Sequence, residues 1–177
     1  MCGRIETQRL LLRPWRESDA ESLYEYARDE RVGPAAGWPP HTSVEDSLRV
    51  IREVLSDDEV FAVTIKGEDR AIGSIGLVNR VTADFEDESE IGYWIGVPYW
   101  GRGYIPEAVK ALLKYCFLER RDDRVWCGHY EGNDKSRRVI EKCGFKYAFQ
   151  RMERVVLLSE ERNEFFYSIT REEWEKL

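Results

Sequence analysis

Two periods of hydrophobic and polar residues run along the chain, and each change of period marks a new element. Residues 7–13 (Thr-Gln-Arg-Leu-Leu-Leu-Arg) predict a strand that Pro14 closes. Ser18-Asp19 with Glu21 has the pattern of a capping box and opens a helix to about Asp29, with Leu23, Tyr24, Tyr26 and Ala27 for burial. A Gly/Pro-rich loop at 33–40 holds Trp38. Ser43 with Asp46 then starts a second helix, on which Val44, Leu48, Ile51, Val54 and Leu55 recur at helical spacing. Residues 60–65 and 71–81 predict a hairpin around the turn Gly67-Glu68-Asp69. An acidic connection at 84–90 leads into a strand at 91–97, with Gly92 and Gly96 on one face beside Glu90 and Trp94. The helix that follows runs to about Glu119 with Ile105, Ala108, Val109, Leu112, Cys116 and Phe117 in one stripe. Residues 124–130 predict a strand parallel to its predecessor. Asn133 caps a further helix, which Gly144-Phe145 stops. Strands at 147–158 and 164–169 close the order, and Thr170 with Glu173 caps a short helix that buries Trp174.

The join between the 91–97 strand and the long helix reads Val-Pro-Tyr-Trp-Gly-Arg-Gly-Tyr-Ile-Pro-Glu-Ala from Val97. Glycines at 101 and 103 let the backbone take φ > 0 and lie against a ligand. Successive N–H groups can then turn inward as an anion nest, at the positive end of the helix dipole. The same pattern also serves as a tight connection. The dinucleotide fingerprint needs a third glycine, and the Walker loop needs a Gly-Lys-Ser/Thr; neither is here.

Composition narrows the class. With 177 residues, 42% hydrophobic and 34% charged, the chain is expected to form one soluble domain with a real core. Its apolar runs are too short to span a bilayer, and no secretory signal is expected. A net charge of −7 argues against general nucleic-acid binding and for cationic partners. The four cysteines form no CxxC pair and the two histidines lie far apart, so no metal site is legible. Reduced thiols in the cytoplasm are the expectation.

The order of elements and three local motifs together resemble the GNAT acetyltransferase superfamily, and within it the branch of ribosomal-protein (Rim-type) N-terminal acetyltransferases. The motifs are Glu90-Ile91-Gly92-Tyr93-Trp94-Ile95, Tyr99 through Ala108, and Asn133-Asp134-Lys135-Ser136 through Gly144-Phe145. The opening residues 7–13 match the usual first strand of that branch. Trp100 and Ile105 depart from the superfamily's wider loop pattern, although the tryptophan suits the branch. The resemblance spans essentially the whole chain. It implies a single mixed α/β (α+β) domain over residues 1–177, with a central sheet of about seven strands, splayed between the fourth and fifth, and helices on both faces.

It further implies acetyl transfer from acetyl-CoA to an amine without an acyl-enzyme and without a metal. Trp100, Gly101, Arg102, Gly103, Tyr104 and Ile105 would hold the pyrophosphate through backbone N–H groups. Ile95, Gly96 and Val97 would pair with the pantetheine, one of their N–H groups polarising the thioester carbonyl. Asn133 would bond the pantetheine amide, or merely cap its helix, or both. Ser136 would assist the leaving thiolate, or be an ordinary first-turn serine. Glu90 would be the general base, or one more acid of the connection. Trp38 and Tyr93 are expected to line an acceptor pocket walled by the loop 33–41 and the turn near 159–163. The acceptor is expected to be a protein N-terminal α-amine, possible partners being basic ribosomal proteins; a small amine (polyamine, amino acid or antibiotic) is the alternative. A non-catalytic acyl-CoA-binding module is a third reading, separated by turnover. No direct contact with nucleic acid or membrane is expected, and a homodimer is compatible with such a scaffold.

Overall fold

The computed structural model describes residues 3–78 and 88–177. The end of the expected 71–81 strand, most of the acidic connection at 84–90, and Cys2 lie outside the described residues. One sheet organises the rest. Its strands are β1 (Ile5–Glu6), β2 (Leu10–Pro14), β3 (Val60–Ile65), β4 (Gly73–Val78), β5 (Ser89–Ile95), β6 (Arg124–Tyr130), β7 (Lys146–Val155) and β8 (Glu160–Thr170). They lie in the order β1-β2-β3-β4-β5-β6-β8-β7, and every neighbouring pair is antiparallel except β5–β6. The sheet thus has eight strands among the described residues, where about seven were expected. The extra one arises because the chain doubles back at residues 7–9, pairing Ile5 with Leu12. Thr7 closes that turn through its N–H on Leu10 O (3.0 Å) and its Oγ1, which receives Leu10 N–H (2.9 Å).

Alternation along the strands assigns two faces. Leu12, Val63, Ile75, Ile91 and Val125 face α4 (Tyr104–Tyr115), whose Ala108, Val109 and Leu112 are buried against them. Each of the Val, Leu and Ile side chains contributes about 1.5–3 kcal/mol by leaving water. α4 runs on into one wider π turn at Cys116–Arg120. α5 (Asp134–Lys142) packs on the same side through Ile140. The opposite face carries Trp15, Ala62 and Trp94 under α1 (Ala20–Ala27) and α3 (Val44–Glu53). A one-turn helix α2 (Gly33–Ala36) stands where a loop was expected, and α6 (Arg171–Trp174) ends the chain behind its Thr170–Glu173 capping box.

Three local expectations are corrected. Asp19 rather than Ser18 is the N-cap residue of α1, and it makes no side-chain cap there: its carboxylate instead accepts Arg16 N–H (2.9 Å) and two bonds from Arg13 (2.8 Å each). Val54 lies outside α3 and is 60% exposed, because the helix ends at Glu53. The closing hairpin turns at Val156–Leu158 and Ser159 (φ 54°), so β8 starts at Glu160 and not at 164.

Arg13 is 1% exposed and its second carboxylate partner, Asp69, is mostly exposed. Removing Asp19 would leave the buried guanidinium without its principal partner. Asp19→Ala is expected to lower stability by about 3–5 kcal/mol in urea unfolding, and Arg13→Met in that background is expected to restore part of the loss.

Candidate active site

Among the described residues β5 and β6 pair at three positions: Ser89 with Val125, Glu90 with Trp126 and Ile91 with Cys127. Both strands continue, but each follows its other neighbour. β5 stays on β4 (Tyr93 with Ile75, Ile95 with Gly73), and β6 stays on β8 (Gly128 with Phe166, Tyr130 with Glu164). The strands therefore part after Ile91, as the resemblance implied. A cleft of about 1290 Å³ occupies the opening and reaches both faces of the sheet.

On the α4 side its wall is the turn between β5 and α4. Val97–Tyr99 makes one tight turn, closed by Tyr99 N–H on Gly96 O (2.9 Å) and Trp100 N–H on Val97 O (3.1 Å). Gly101 (φ 74°) and Gly103 (φ 76°) are both left-handed, and a Cβ on Gly101 would touch nothing, so backbone conformation is what selects glycine there. α4 begins without a side-chain cap. Among the described residues no acceptor takes the N–H groups of Gly101, Arg102, Gly103, Tyr104 or Ile105. These donors and the helix dipole make an anion nest.

A clamp that the sequence reading missed fixes this loop from outside. Glu107, in the first turn of α4, accepts from Thr7 Oγ1 (2.6 Å), Arg9 N–H (2.8 Å) and Arg9 Nε (2.7 Å). Arg9 also donates to Arg102 O (3.0 Å) and lies over the Tyr104 ring. Burial pushes the Glu107 carboxyl up, but these hydrogen bonds and the Arg9 charge outweigh it and hold the group below the usual glutamate range.

Gly96 N–H is engaged by Ile72 O (2.8 Å) across β4. By alternation the N–H of Ile95 points the other way, into the opening. The Ile95 carbonyl there accepts Trp100 Nε1 (2.9 Å), and Lys135 Nζ sits 3.7 Å over the Trp100 ring. Deeper on this side the Tyr93 hydroxyl and Ser136 Oγ are 2.8 Å apart. Burial, then the nearby Cys127, push the Tyr93 phenol well above its usual range despite the Ser136 bond, so it keeps its proton at neutral pH. Asn133 does cap α5: its Oδ1 accepts Ser136 N–H (3.2 Å), while its Nδ2 donates to Ala35 O (3.3 Å).

On the α2 side, Glu90 is 4% exposed and lines the cleft beside Gly92. A second carboxylate that the sequence reading did not single out, Glu164 of β8, is 2% exposed and lines the same cleft. A Cβ on Gly128 would stand 2.8 Å from Glu164 Oε1, so that glycine makes room for the carboxylate. The available signal was phase: Glu164 shares the inward face of β8 with Phe166. α2 covers this side, tied down by Arg162 Nη1 on Pro34 O (2.5 Å) and by Asn133 on Ala35.

The cleft thus gathers Glu90, Tyr93, Ile95, Trp100, Gly101, Gly103, Tyr104, Ile105, Asn133 and Ser136. Gly96, Val97 and Arg102 belong to the loop without lining it. Tyr93 faces Ser136 rather than the α2 side. Trp38 does not line the cleft at all: it packs edge-on against Trp94 and beside His41, in the apolar cluster under α1 and α3.

The sequence matches the family model described as "Acetyltransferase (GNAT) domain" over residues 9–146. It is 30% identical over 171 residues to the "Uncharacterized N-acetyltransferase YnaD" of Bacillus subtilis, spanning 96% of this chain and 98% of that protein. It is 27% identical to the "Putative ribosomal N-acetyltransferase YdaF" of the same organism, spanning 95% and 94%. The fold superposes on the crystal structure of a GNAT-family acetyltransferase from Bacillus anthracis with a TM-score of 0.82 at 27% identity, covering 96% of this chain and 99% of that one.

The clamp predicts a pH signature. Because the folded carboxyl of Glu107 is held low, its stabilisation is full above the ordinary value of about 4.3 and is lost as pH falls through the folded value. Glu107→Gln is expected to cost about 1–2 kcal/mol at pH 7, reduced by the exposure of Arg9. The gap to wild type should close in acid, read as urea midpoints across pH. Gly103→Ala is expected to cost roughly 1–2 kcal/mol through φ alone, seen in the same unfolding curves.

Proposed function

The chain belongs to the GNAT acetyltransferases, and from that premise we propose that it acetylates protein N-terminal α-amines. The observation that carries this reading is the opening between β5 and β6, which joins an anion nest on one face of the sheet to buried carboxylates on the other. The family's donor is acetyl-CoA, which supplies an activated acetyl thioester. The free N–H groups of residues 101–105 fit its pyrophosphate. Ile95 N–H, directed into the opening, is the donor that polarises the thioester carbonyl. Ser136, set by Asn133 and Tyr93, hydrogen-bonds the departing sulfur, and the protonated Tyr93 backs it as a proton source. Glu90 receives the proton of the amine, directly or through one water. Asn133 positions Ser136 through its Oδ1, and the second hydrogen on its Nδ2, beside the one given to Ala35 O, is the one that can reach the donor.

An α-amine suits this site because it needs little help to lose its proton. Its pKa of about 7.7–8.0 lies roughly 2.5 units below that of a lysine-type amine, a difference of about 3.4 kcal/mol at neutral pH. The name of the YdaF relative also supports a ribosomal acceptor, and the net charge of −7 suits a basic one. The pair Glu90 and Glu164 favours a second reading, a small polyamine, whose higher pKa calls for a stronger base.

Release of CoA thiol from acetyl-CoA tests both. Peptides with Ala, Ser or Met N-termini are expected to turn over, and spermidine to lag. Glu90→Gln is expected to lower kcat on the peptides by about 10²-fold, the low end for a general base, while acetyl-CoA still raises the melting temperature. Turnover on spermidine alone would transfer the assignment to small amines. Thermal shift without turnover on any amine would mark a binding module.

A further inference from the structure

The sheet ends on two very different edges. β1 at one edge is two residues long, whereas β7 at the other is ten. Among the described residues β7 pairs only with β8, so its outer side offers backbone N–H and C=O groups to a further strand. Proteins blunt such an edge with proline, charge or a bulge. β7 has no proline, and its one bulge, between Tyr147 and Phe149, lies near its start. From Phe149 to Val155 the ladder is regular. Its charges there, Arg151, Glu153 and Arg154, are of both signs. The same hairpin carries four of the eight large apolar side chains that stand exposed among the described residues: Tyr147, Met152, Val156 and Leu157. Met152, in the middle of the regular stretch, is 62% exposed.

The charges select what fits this edge. A second copy meeting it antiparallel keeps the two faces of the sheet in step only if the two-fold axis passes through a residue. An axis on Arg151 or Arg154 would set an arginine against its own copy, and an axis on Glu153 would set two carboxylates together. Like charges directly opposite destabilise a ladder. An axis on Gln150 would run the pairing into the bulge. An axis on Met152 meets none of these objections. It sets Arg151 against the partner's Glu153 twice over, Gln150 against the partner's Arg154, and Phe149 against the partner's Val155. Arg151 and Glu153 already pair with each other on one face of β7, so both stand where they can reach across. The two methionines meet at the centre, and exposed Tyr147 comes to the same end of the ladder as the partner's Val156 and Leu157.

We propose that the protein forms a two-fold dimer through this edge, β7 against β7 of a second copy with Met152 on the axis, so that one sheet runs through both copies. The axis stands normal to the sheet, so the α2 sides of the two clefts open on the same face of the assembly. The dimer does not depend on the acetyl-transfer reading.

Sedimentation of the full chain over a concentration series tests it. Wild type is expected at twice the 20.8 kDa of one chain, dissociating on dilution. Met152→Asp sets two carboxylates on the axis and is expected to keep the one-chain mass throughout. Because Met152 is exposed, the melting temperature of that variant should match wild type at the dilute end. Arg151→Glu alone and Glu153→Arg alone each put like charges opposite one another and are expected to be monomeric. Mixed in equal amounts they are expected to recover the dimer, since each edge then meets its opposite charge; damage to the fold could not give that recovery. Wild type at the one-chain mass throughout would overturn the proposal. A dimer indifferent to Met152→Asp would overturn it too, as would failure of the mixture to associate. Mass gained only in the presence of an added peptide would give the edge to that peptide and overturn the self-pairing.

Discussion

The parting of two parallel strands is the constraint on which the rest of this protein depends. A strand can follow only one neighbour where its two neighbours diverge. β5 keeps its ladder with β4, β6 keeps its ladder with β8, and the bond between them stops after three residue pairs. Backbone groups that a closed sheet would pair are thereby left facing a cavity. The last tie is Cys127 Sγ on Ile91 O (3.3 Å), and beyond it the opening passes through the sheet. Without that passage the anion nest and the carboxylates would lie on opposite sides of a closed wall.

The opening is held to a defined width by contacts from far along the chain. Glu107 ties the glycine loop to residues 7–9, and Trp100 caps the Ile95 carbonyl while carrying Lys135 on its ring. Asn133 and Arg162 bind α2 over the other mouth. Charge follows the same division. Backbone donors and the cations of α5 line one side, and Glu90 and Glu164 line the other, where Gly128 lacks the Cβ that would displace a carboxylate. On the proposed reading, a phosphorylated donor and an amine acceptor would have separate approaches to a shared gap.

Much of the fold was legible because periodicity and caps are local signals. The α4 stripe, the Ser43 cap on Asp46 N–H (3.0 Å), the Thr170–Glu173 box and the left-handed Gly101 and Gly103 all follow from short stretches of sequence. Errors came where a distant partner decides. Ser18 and Glu21 looked like a capping box, but Asp19 was recruited by Arg13 and Arg16. Residues 7–9 looked like strand, but Glu107, a hundred residues on, receives three bonds from them and stabilises a turn. Trp38 looked like pocket lining because it stands in a loop, yet it fills an apolar space beside Trp94.

The sequence by itself determined the order of elements, the glycine turn before the long helix, the phase of Glu90 with Gly92 and Trp94 on one face of β5, and Asn133 as the N-cap of α5. These depend on spacing and on backbone preferences that act within a few residues. Only the tertiary structure decided that Glu164 joins Glu90, that Tyr93 meets Ser136 rather than the acceptor side, that Glu107 clamps the loop, and that α5 turns its cations to the cleft. Those arrangements come from strand register and helix packing, which bring together residues between 35 and 100 positions apart, and no local pattern encodes where such partners meet.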